Sequence, residues 1–557
     1  MKNKMIIYQV FTRLFGNDKT ACIPHGNKTE NGCGHFADFT QKALTEIQKL
    51  GATHIWYTGV IAHATQTDYT SYGIPSDHPA IVKGKAGSPY AIKDYYDVDP
   101  DLATKPEKRM KEFQNLIYRT HDAGLKVIID FVPNHVARQY QSASRPEGVK
   151  DLGKEDDQNL SFSPQNNFYY IPGHPFQPGF DLQGSAPVPY EECPAKATGN
   201  DNFSPSPGRN DWYETIKLNY GIDYCNGGGR HFDPIPSTWF KMRDILLFWA
   251  GKGIDGFRCD MAEMVPVEFW EWAIPQIKCH YPSLVFIAEV YNPNEYRNYI
   301  YKGGFDYLYD KVGLYDTLRG VVCGYASARQ ITGCWQSVDD IKDHMLNFLE
   351  NHDEQRLASD FFAGNTEKGR PALLVSACMG RNPMMIYFGQ ELGERGMDAE
   401  GFSGKDGRTT IFDYWHVDTI RRWRNKGKFD TDKLTAQELA LQAFYTQVLR
   451  LCNRERALRE GDFYDLMYAN NGSDLFNADK CYAFDLLIVL VNFEDSEKHT
   501  AVNLPHHLFE FFQIQEKGEI IATELLSGDK ECITFNANQC VLTDIPAYSG
   551  KILKIKL

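Results

Sequence analysis

The chain has 557 residues, which predicts two or three domains unless an α/β barrel forms a single large one. Its 42% hydrophobic and 24% charged residues are typical of a soluble globular protein. The net charge of -14 argues against nucleic acid or an anionic membrane surface as the main partner, and it is compatible with a neutral ligand.

The cysteines and the N-terminus bear on the compartment. There are 13 cysteines, an odd number without a tight framework, which fits reduced thiols in a cytosol better than a disulfide scaffold. The apolar run that begins at Met5 is too short for a secretory signal, and no stretch is long and uncharged enough to span a membrane. We therefore expect a cytoplasmic protein, unless a leader has been removed.

Eight short apolar runs recur along the chain, and amphipathic helical patterns separate most of them. The runs begin at Met5, Thr53, Lys126, Ile254, Leu284, Phe305, Met345 and Met384. Before the third run, a helical stretch ends at Gly124, a typical C-terminal signal. Strands that alternate with helices predict a parallel sheet, and continuous apolar runs predict strands buried on both faces. Eight such units predict a closed (β/α)8 TIM barrel.

Two further segments depart from this pattern. The connection from His135 to about Leu218 is rich in Pro, Gly, Asn and Ser, and it is too long for a structureless loop. After the eighth run comes a long helix, and β-like runs with turns follow from about residue 461. We predict a catalytic barrel over 1-460, a domain at 136-218 inserted after strand three, and a C-terminal all-β domain, a β-sandwich, over 461-557.

Polar residues follow several runs, at the strand ends where a barrel has its active site. They are Asp130, Asn134, His135, Arg258, Asp260, Glu289, Asn351, His352 and Asp353. Arg258 and Asp260 share one face of their strand because side chains alternate. Alone they could be a structural ion pair, and a single Asp at a strand end is often a helix cap. Three strand ends that deliver Asp260, Glu289 and Asp353 to one mouth favour a catalytic site.

Clustered carboxylates repel one another, so stability does not explain such a group. Cleavage of a glycosidic bond needs one ionised and one protonated carboxyl group, and a third can stabilise positive charge. Arg258 is expected to keep Asp260 ionised, as a nucleophile requires. Glu289 follows an apolar run without a basic neighbour in sequence, so burial is expected to keep it protonated, as an acid requires.

The motifs "DFVPNH", "GFRCD", "AEV" and "NHD" occur in this order and resemble the four signature regions of the α-amylase family of retaining glycoside hydrolases, glycoside hydrolase family thirteen. "SPYAIKDYYDVDP" resembles the family's tyrosine-bearing loop after strand two, and "IKLNYG" resembles the additional region that ends the inserted domain. The resemblance implies Asp260 as nucleophile, Glu289 as general acid/base and Asp353 as transition-state stabiliser. It also implies a set of sugar-binding residues: Tyr90, His135, Arg258 and His352.

Several positions depart from the family pattern. Glu263 and Met264 stand where many α-amylases have Lys-His. Lys217 stands where calcium-dependent members have Asp, although Asn134, a potential calcium ligand, is retained. A lysine opposes a cation that binds oxygen ligands, so we expect that no cofactor is required and that the family's calcium site is altered. "KLN" resembles the neopullulanase and cyclomaltodextrinase branch, whose additional N-terminal domain this sequence lacks.

The loop from Cys22 to His35 contains two cysteines and two histidines, residue types that bind zinc. The set is Cys22, His25, Cys33 and His35. Their spacing is irregular, and loops rich in Gly and Asn collect such residues by chance, so we favour a loop without a metal.

These observations predict an α-amylase-type enzyme, a cytoplasmic retaining glycoside hydrolase. It would cleave α-glucosidic bonds, mainly α-1,4, in starch- or glycogen-derived oligosaccharides by double displacement. The alternative is a glucan transglycosylase of the 4-α-glucanotransferase type, which would use the same triad. A non-catalytic sugar-binding member of the fold predicts a broken triad, whereas all three carboxylates are present. The expected partner is an α-glucan oligosaccharide, without nucleic acid or membrane.

Overall fold

A computed structural model describes residues 3-182, 186, 188-470, 475-482 and 485-557. Eight parallel strands, β1 to β8, close into a barrel in which β1 pairs with both β2 and β8. Their bounds are β1 Ile6–Phe11, β2 His54–Thr58, β3 Lys126–Phe131, β4 Gly256–Cys259, β5 Val285–Ala288, β6 Tyr307–Tyr309, β7 Met345–Phe348 and β8 Met384–Tyr387. Each strand falls within one of the eight predicted apolar runs, so the predicted barrel is confirmed.

The longer helices lie between and after these strands. Their bounds are α1 Gln41–Leu50, α2 Arg109–Asp122, α3 Ser237–Ala250, α4 Val267–His280, α5 Asp316–Val322, α6 Gln330–Ser337, α7 Arg370–Cys378, α8 Asp418–Arg424, α9 Ala436–Arg454, α10 Arg456–Glu460 and α11 His506–Phe512. The Thr40 side chain caps α1 by accepting a hydrogen bond from the Ala43 N–H. Gly124 has φ 75° directly after the end of α2, as its C-terminal signal predicts.

The segment inserted after β3 leaves and re-enters the barrel through one strand pair. His135–Ala137 pairs antiparallel with Thr215–Lys217, which brings both ends of the segment to the mouth of the barrel. Within it, the short strands Tyr170–Ile171 and Ala195–Lys196 form another antiparallel pair. The inserted unit is therefore present after strand three, as predicted.

The C-terminal strands form a six-stranded antiparallel sheet in the order β9-β10-β11-β16-β13-β14 and a two-stranded ribbon, β12-β15. Their bounds are β9 Asp462–Asp465, β10 Leu475–Tyr482, β11 Asp485–Asn492, β12 Lys498–Leu504, β13 Gly518–Glu524, β14 Lys530–Phe535, β15 Gln539–Ile545 and β16 Ser549–Lys556. The predicted C-terminal β domain is confirmed, although it includes the short helix α11. The boundaries of the three units stay predictions.

Alternate residues of β11 face opposite sides of the six-stranded sheet. Leu487 and Val489 belong to the apolar cluster of barrel helices α7 and α9, whereas Leu486 and Ile488 pack with the ribbon. The sheet therefore shares one core with the barrel and another with the ribbon. Among the described residues, no helix has both the length and the apolar composition that crossing a bilayer requires.

Candidate active site

Carboxylates at the ends of three adjacent strands, β3, β4 and β5, converge on one guanidinium. Arg258 Nη1 lies 2.8 Å from Asp260 Oδ1 and 3.4 Å from Asp130 Oδ1. Its Nη2 forms an ion pair with Glu289 Oε2 at 2.8 Å, and its Nε donates to the Tyr309 hydroxyl at 3.1 Å. Arg258 is fully buried, so its positive charge acts on these groups with little screening by solvent.

The three predicted catalytic carboxylates reach one cavity at the C-terminal end of the barrel. The cavity has a volume of about 290 Å³, and two of the four predicted sugar-binding residues also line it. These five lining residues are Asp260, Glu289, Asp353, Tyr90 and His135. Arg258 and His352 are buried directly against them. The structure therefore brings all seven predicted residues together.

Burial has the largest influence on the protonation of the cluster. It raises the pKa of Asp260 well above its usual value, Arg258 opposes this rise, and neighbouring carboxylates add to it. The pKa of Asp353 rises to about 7, through burial and then through the charge of Glu289. The sequence had suggested that Arg258 keeps Asp260 ionised. Arg258 does lower the pKa of Asp260, but burial first, and then the charges of neighbouring carboxylates, raise it by more.

Glu289 has a basic neighbour in space, Arg258, although it has none in sequence. Its Oε2 accepts the Met261 N–H at 2.8 Å, and its Oε1 accepts the Tyr291 hydroxyl at 2.5 Å. Met261 has φ 42°, a strained value for a residue with a side chain, directly after Asp260. The strained backbone at Met261 and the Tyr291 hydroxyl thus orient the Glu289 carboxyl group. Sequence reasoning did not identify Tyr291.

Tyr90 and His352 form a stacked pair beneath the cavity. Their ring centroids are 5.1 Å apart, and the Tyr90 hydroxyl lies 2.5 Å from His352 Nε2. His352 Nδ1 lies 2.8 Å from Gln9 Nε2. Burial, and next the charge of Arg258, lowers the pKa of His352 well below its usual value, so the ring is neutral. Sequence reasoning did not single out Gln9. A polar residue inside the otherwise apolar run of β1 could have indicated its role.

Asp130 supports the cluster from β3. It receives a hydrogen bond from Trp56 Nε1 at 3.0 Å, and the Tyr90 hydroxyl donates to it at 3.4 Å. Burial raises the pKa of Asp130 to about 6 against the opposing charge of Arg258. The sequence places Asp130 at a strand end but does not show that it contacts the same arginine as the predicted nucleophile.

His135 lies at the start of the inserted segment and packs against Trp212, with ring centroids 5.2 Å apart. Burial, followed by the charge of Lys217, lowers the pKa of His135 to about 3, so its imidazole is neutral. Trp212 also lines the cavity. The inserted segment therefore supplies part of the cavity wall. The sequence places this segment over the barrel mouth but does not identify Trp212 as a wall residue.

Asn134, the potential calcium ligand, binds a lysine. Its Oδ1 accepts from Lys217 Nζ at 2.8 Å, and its Nδ2 donates to the Gly199 carbonyl at 2.7 Å. Lys217 is buried and pairs with Asp201 Oδ1 at 2.5 Å. The oxygen atoms that calcium would need already bind an ammonium group, so this set of residues does not fit a calcium ion.

The cysteines and histidines of the N-terminal loop have separate surroundings. Cys22 Sγ lies 2.9 Å from His416 Nδ1, and Cys33 Sγ contacts the Gly34 carbonyl. His35 Nδ1 is 3.7 Å from an Asp38 oxygen. The fourth member, His25, lies beside Glu400 and Asp413.

The α-amylase catalytic domain family matches residues 9-192. α-Amylase 3 of Dictyoglomus thermophilum is 24% identical over 67% of this chain and 68% of its own length. Neopullulanase 2 of Thermoactinomyces vulgaris is 21% identical over 98% of this chain and 77% of its own length. This relative agrees with the predicted likeness to the neopullulanase branch.

Solved structures show the same fold over the full length. An α-amylase from Geobacillus thermoleovorans, complexed with acarbose, aligns over 100% of both chains with a TM-score of 0.65 and 17% identity. A maltogenic α-amylase from Thermotoga neapolitana aligns over 100% of this chain and 99% of its own, with a TM-score of 0.62 and 18% identity. With the ordered motifs at the strand ends and relatives that span most of its length, the chain resembles the α-amylase family and is an α-amylase-type glycoside hydrolase.

Proposed function

We propose that the enzyme hydrolyses α-glucosidic bonds, mainly α-1,4, in starch- or glycogen-derived oligosaccharides with retention of configuration. The observation that carries this proposal is that Asp260 and Glu289 lie on the two terminal nitrogens of Arg258. Retaining enzymes hold their two carboxyl groups about 5–5.5 Å apart, whereas inverting enzymes leave about 6.5–9.5 Å for a water molecule. Two carboxylates on one guanidinium favour the closer arrangement.

In the first step, an Asp260 oxygen attacks the anomeric carbon as the bond to the glycosidic oxygen breaks. Glu289 donates its proton to that oxygen, and a β-glucosyl ester on Asp260 remains. In the second step, Glu289 takes a proton from water, which attacks the same carbon and releases Asp260. Asp353 stabilises the positive charge that develops on the sugar ring in both steps.

The surroundings of the triad suit a neutral sugar. Tyr90 offers an aromatic face for the apolar side of a pyranose ring, and His135 and His352 are neutral groups that exchange hydrogen bonds with hydroxyls. The Geobacillus thermoleovorans structure, whose chain aligns along its whole length, is a complex with acarbose. The cytoplasmic location expected from the odd number of scattered cysteines belongs to this proposal.

The test is Asp260→Asn, which removes the nucleophilic oxygen with little change in shape. We expect kcat on maltoheptaose to fall by at least about 10⁴-fold, as in enzymes that lose a nucleophile, with an unchanged circular dichroism spectrum. Proton NMR of the wild-type reaction should show the α-anomer as the first product. Near-normal hydrolysis by the variant, or a β-anomer released first, would contradict the proposal.

The same triad would serve a transglycosylase, in which a sugar hydroxyl replaces water in the second step. A time course with maltoheptaose separates the two activities. Products no longer than the donor would support hydrolysis. An early accumulation of chains longer than maltoheptaose would instead show that the enzyme is a transglycosylase.

A further inference from the structure

The cavity is closed on the side opposite Glu289. In the closed barrel, β5 and β1 are four strands apart in both directions, so they lie across the mouth from each other. Glu289 follows β5, whereas Lys83 belongs to the loop after β2 and Phe412 to the loop after β8. These two loops flank β1 and form what we call the end wall, residues 83-87 and 411-412.

Backbone hydrogen bonds join the two halves of the end wall. The Phe412 carbonyl accepts from the N–H groups of Ala86 and Gly87, at 3.1 and 3.2 Å. At Gly84, where φ is 65°, a Cβ atom would lie 2.2 Å from the same carbonyl oxygen. The loops therefore approach as closely as a glycine permits, and no gap for a sugar chain remains between them.

A buried arginine fixes this seam from below. Arg13, directly after β1, is 2% exposed, and its guanidinium donates to the Gly87 carbonyl at 3.2 Å and the Ile411 carbonyl at 2.7 Å. Nη1 also donates to the Ala86 carbonyl at 3.1 Å. One charged group thus holds carbonyls from both halves of the end wall, and these charge-assisted bonds are stronger than ordinary ones.

The inserted segment completes the closure. Lys83 Nζ pairs with Glu214 Oε1 at 3.0 Å, and Glu214 is buried. The same ammonium lies 5.7 Å from the ring centroids of Tyr213 and Phe412. Loops after β2, β3 and β8 therefore meet around a single ammonium group.

The proton donor defines which part of the substrate faces the end wall. Glu289 has to stand beside the glycosidic oxygen, between the sugar that is attacked and the sugar that leaves. The attacked sugar therefore lies between the end wall and Glu289, and the leaving chain passes the loops after β4 and β5. A second cavity of about 490 Å³ lies there, lined among others by Glu263, Asn292 and Tyr299.

We propose that the end wall limits the attacked part of the substrate to one or two sugar units, so that the enzyme cleaves only from the non-reducing end. The cavity, walled on this side and with a volume of about 290 Å³, is at the lower end of the range for small-ligand pockets, about 300–1,000 Å³. The substrate class is thus an α-glucan with a free non-reducing end. This inference rests on the proposed function.

The test compares 4-nitrophenyl maltoheptaoside with the same compound whose terminal 4- and 6-hydroxyls are blocked as an ethylidene acetal. One extra methylene in a pocket changes discrimination by about 10–200-fold, so the block should lower kcat/KM by at least about 100-fold. If the enzyme cleaved both compounds equally well, the inference would be wrong, whereas the proposed function would be unaffected. No cleavage of either compound would overturn both.

A variant with an opened wall gives an independent readout. Lys83→Ala combined with Phe412→Ala should raise the ratio of blocked to unblocked cleavage by at least about tenfold, in the range of pocket discrimination. Lys85→Ala is the matched control: Lys85 belongs to the same wall segment, but its side chain does not line the cavity and its Nζ donates to Gln66. The control should keep the wild-type ratio. If the double variant kept the wild-type ratio of blocked to unblocked cleavage, the end wall would not be what excludes the blocked chain end.

Discussion

A chain of hydrogen bonds connects Glu289 to Glu263, the residue found where many α-amylases have lysine. The Glu263 carboxylate accepts the N–H groups of Tyr291 and Asn292 at 3.2 and 3.0 Å. The Tyr291 side chain then donates to Glu289 Oε1. We infer that Tyr291 is a positioning residue and that Glu263 fixes the loop from which it acts.

Tyr291→Phe removes the hydroxyl and keeps the ring. We expect kcat on maltoheptaose to fall by about 10–100-fold, since a misoriented acid loses part of the 10²–10⁴-fold contribution of general acid catalysis. The fall should be much smaller for a 2,4-dinitrophenyl α-glucoside, because its leaving group departs without a proton. Equal losses on both substrates would indicate a structural role instead. Tyr57→Phe, which removes a buried tyrosine hydroxyl that bonds Thr120 away from the cavity, is a control for disturbed packing.

At the residue scale, the sequence predicts contacts between side chains that are close together in the chain. Arg258 and Asp260 are two apart on one strand, and their ion pair follows from the alternation of side chains. The contacts of Gln9 with His352 and of Trp56 with Asp130 join residues far apart in the chain. They depend on how barrel strands align around the ring, which one sequence does not reveal.

The strand pair at the base of the inserted segment carries Lys217 in place of a calcium ligand. Its ammonium binds Asn134 on one side and Asp201 on the other. Burial lowers the pKa of Lys217, whereas the charge of Asp201 raises it. An ion pair of this kind joins the barrel to the inserted segment without an external cation.

A chelator should therefore leave the enzyme unchanged. We expect the Tm from differential scanning calorimetry to be the same with EDTA as with calcium. Lys217→Ala, by contrast, should lower the free energy of unfolding by about 1–3 kcal/mol, since it leaves a buried Asn134 acceptor unpaired. Lys196→Ala is the control, because the Lys196 side chain is more exposed than that of Lys217 and pairs with Glu192 at the longer distance of 3.6 Å. A Tm that falls by several degrees in EDTA would contradict this prediction.

The element order was predictable because it depends on local periodicity. Continuous apolar runs and a glycine after α2 mark the barrel strands and the helix end in the sequence itself. The course of the inserted segment was not, since its short strands pair across gaps that composition does not encode. The strand pair formed by His135–Ala137 and Thr215–Lys217 is an example.

In the whole molecule, the C-terminal sheet and the barrel share a core through β11. Sequence analysis predicts a separate C-terminal all-β domain, because the pattern changes to β-like runs from about residue 461. The structure instead places Leu487 and Val489 among the side chains of barrel helices α7 and α9. The two units should therefore unfold together.

All nine tryptophans precede residue 424, so tryptophan fluorescence reports on the barrel, its helices and the inserted segment, and Trp335 also contacts Phe463 and Asp465 of β9. We expect Leu487→Ala to lower the fluorescence midpoint of chemical unfolding, with a loss of about 2–5 kcal/mol typical of a buried leucine. Leu542→Ala, at a side chain that is 73% exposed in β15, is the control and should change little. A fluorescence midpoint unaffected by Leu487→Ala would show that the units unfold independently.

An enzyme that cleaves only from the non-reducing end, as we propose, responds to the number of chain ends in a glucan and not to the number of bonds. Equal masses of a linear and a highly branched polymer then differ in available substrate, because each branch adds a non-reducing terminus. Digestion removes one or two sugar units at a time, so the viscosity of a long polymer falls slowly while small sugars accumulate early. The hydrogen bonds between two loops thus influence how a polymer solution thins during digestion.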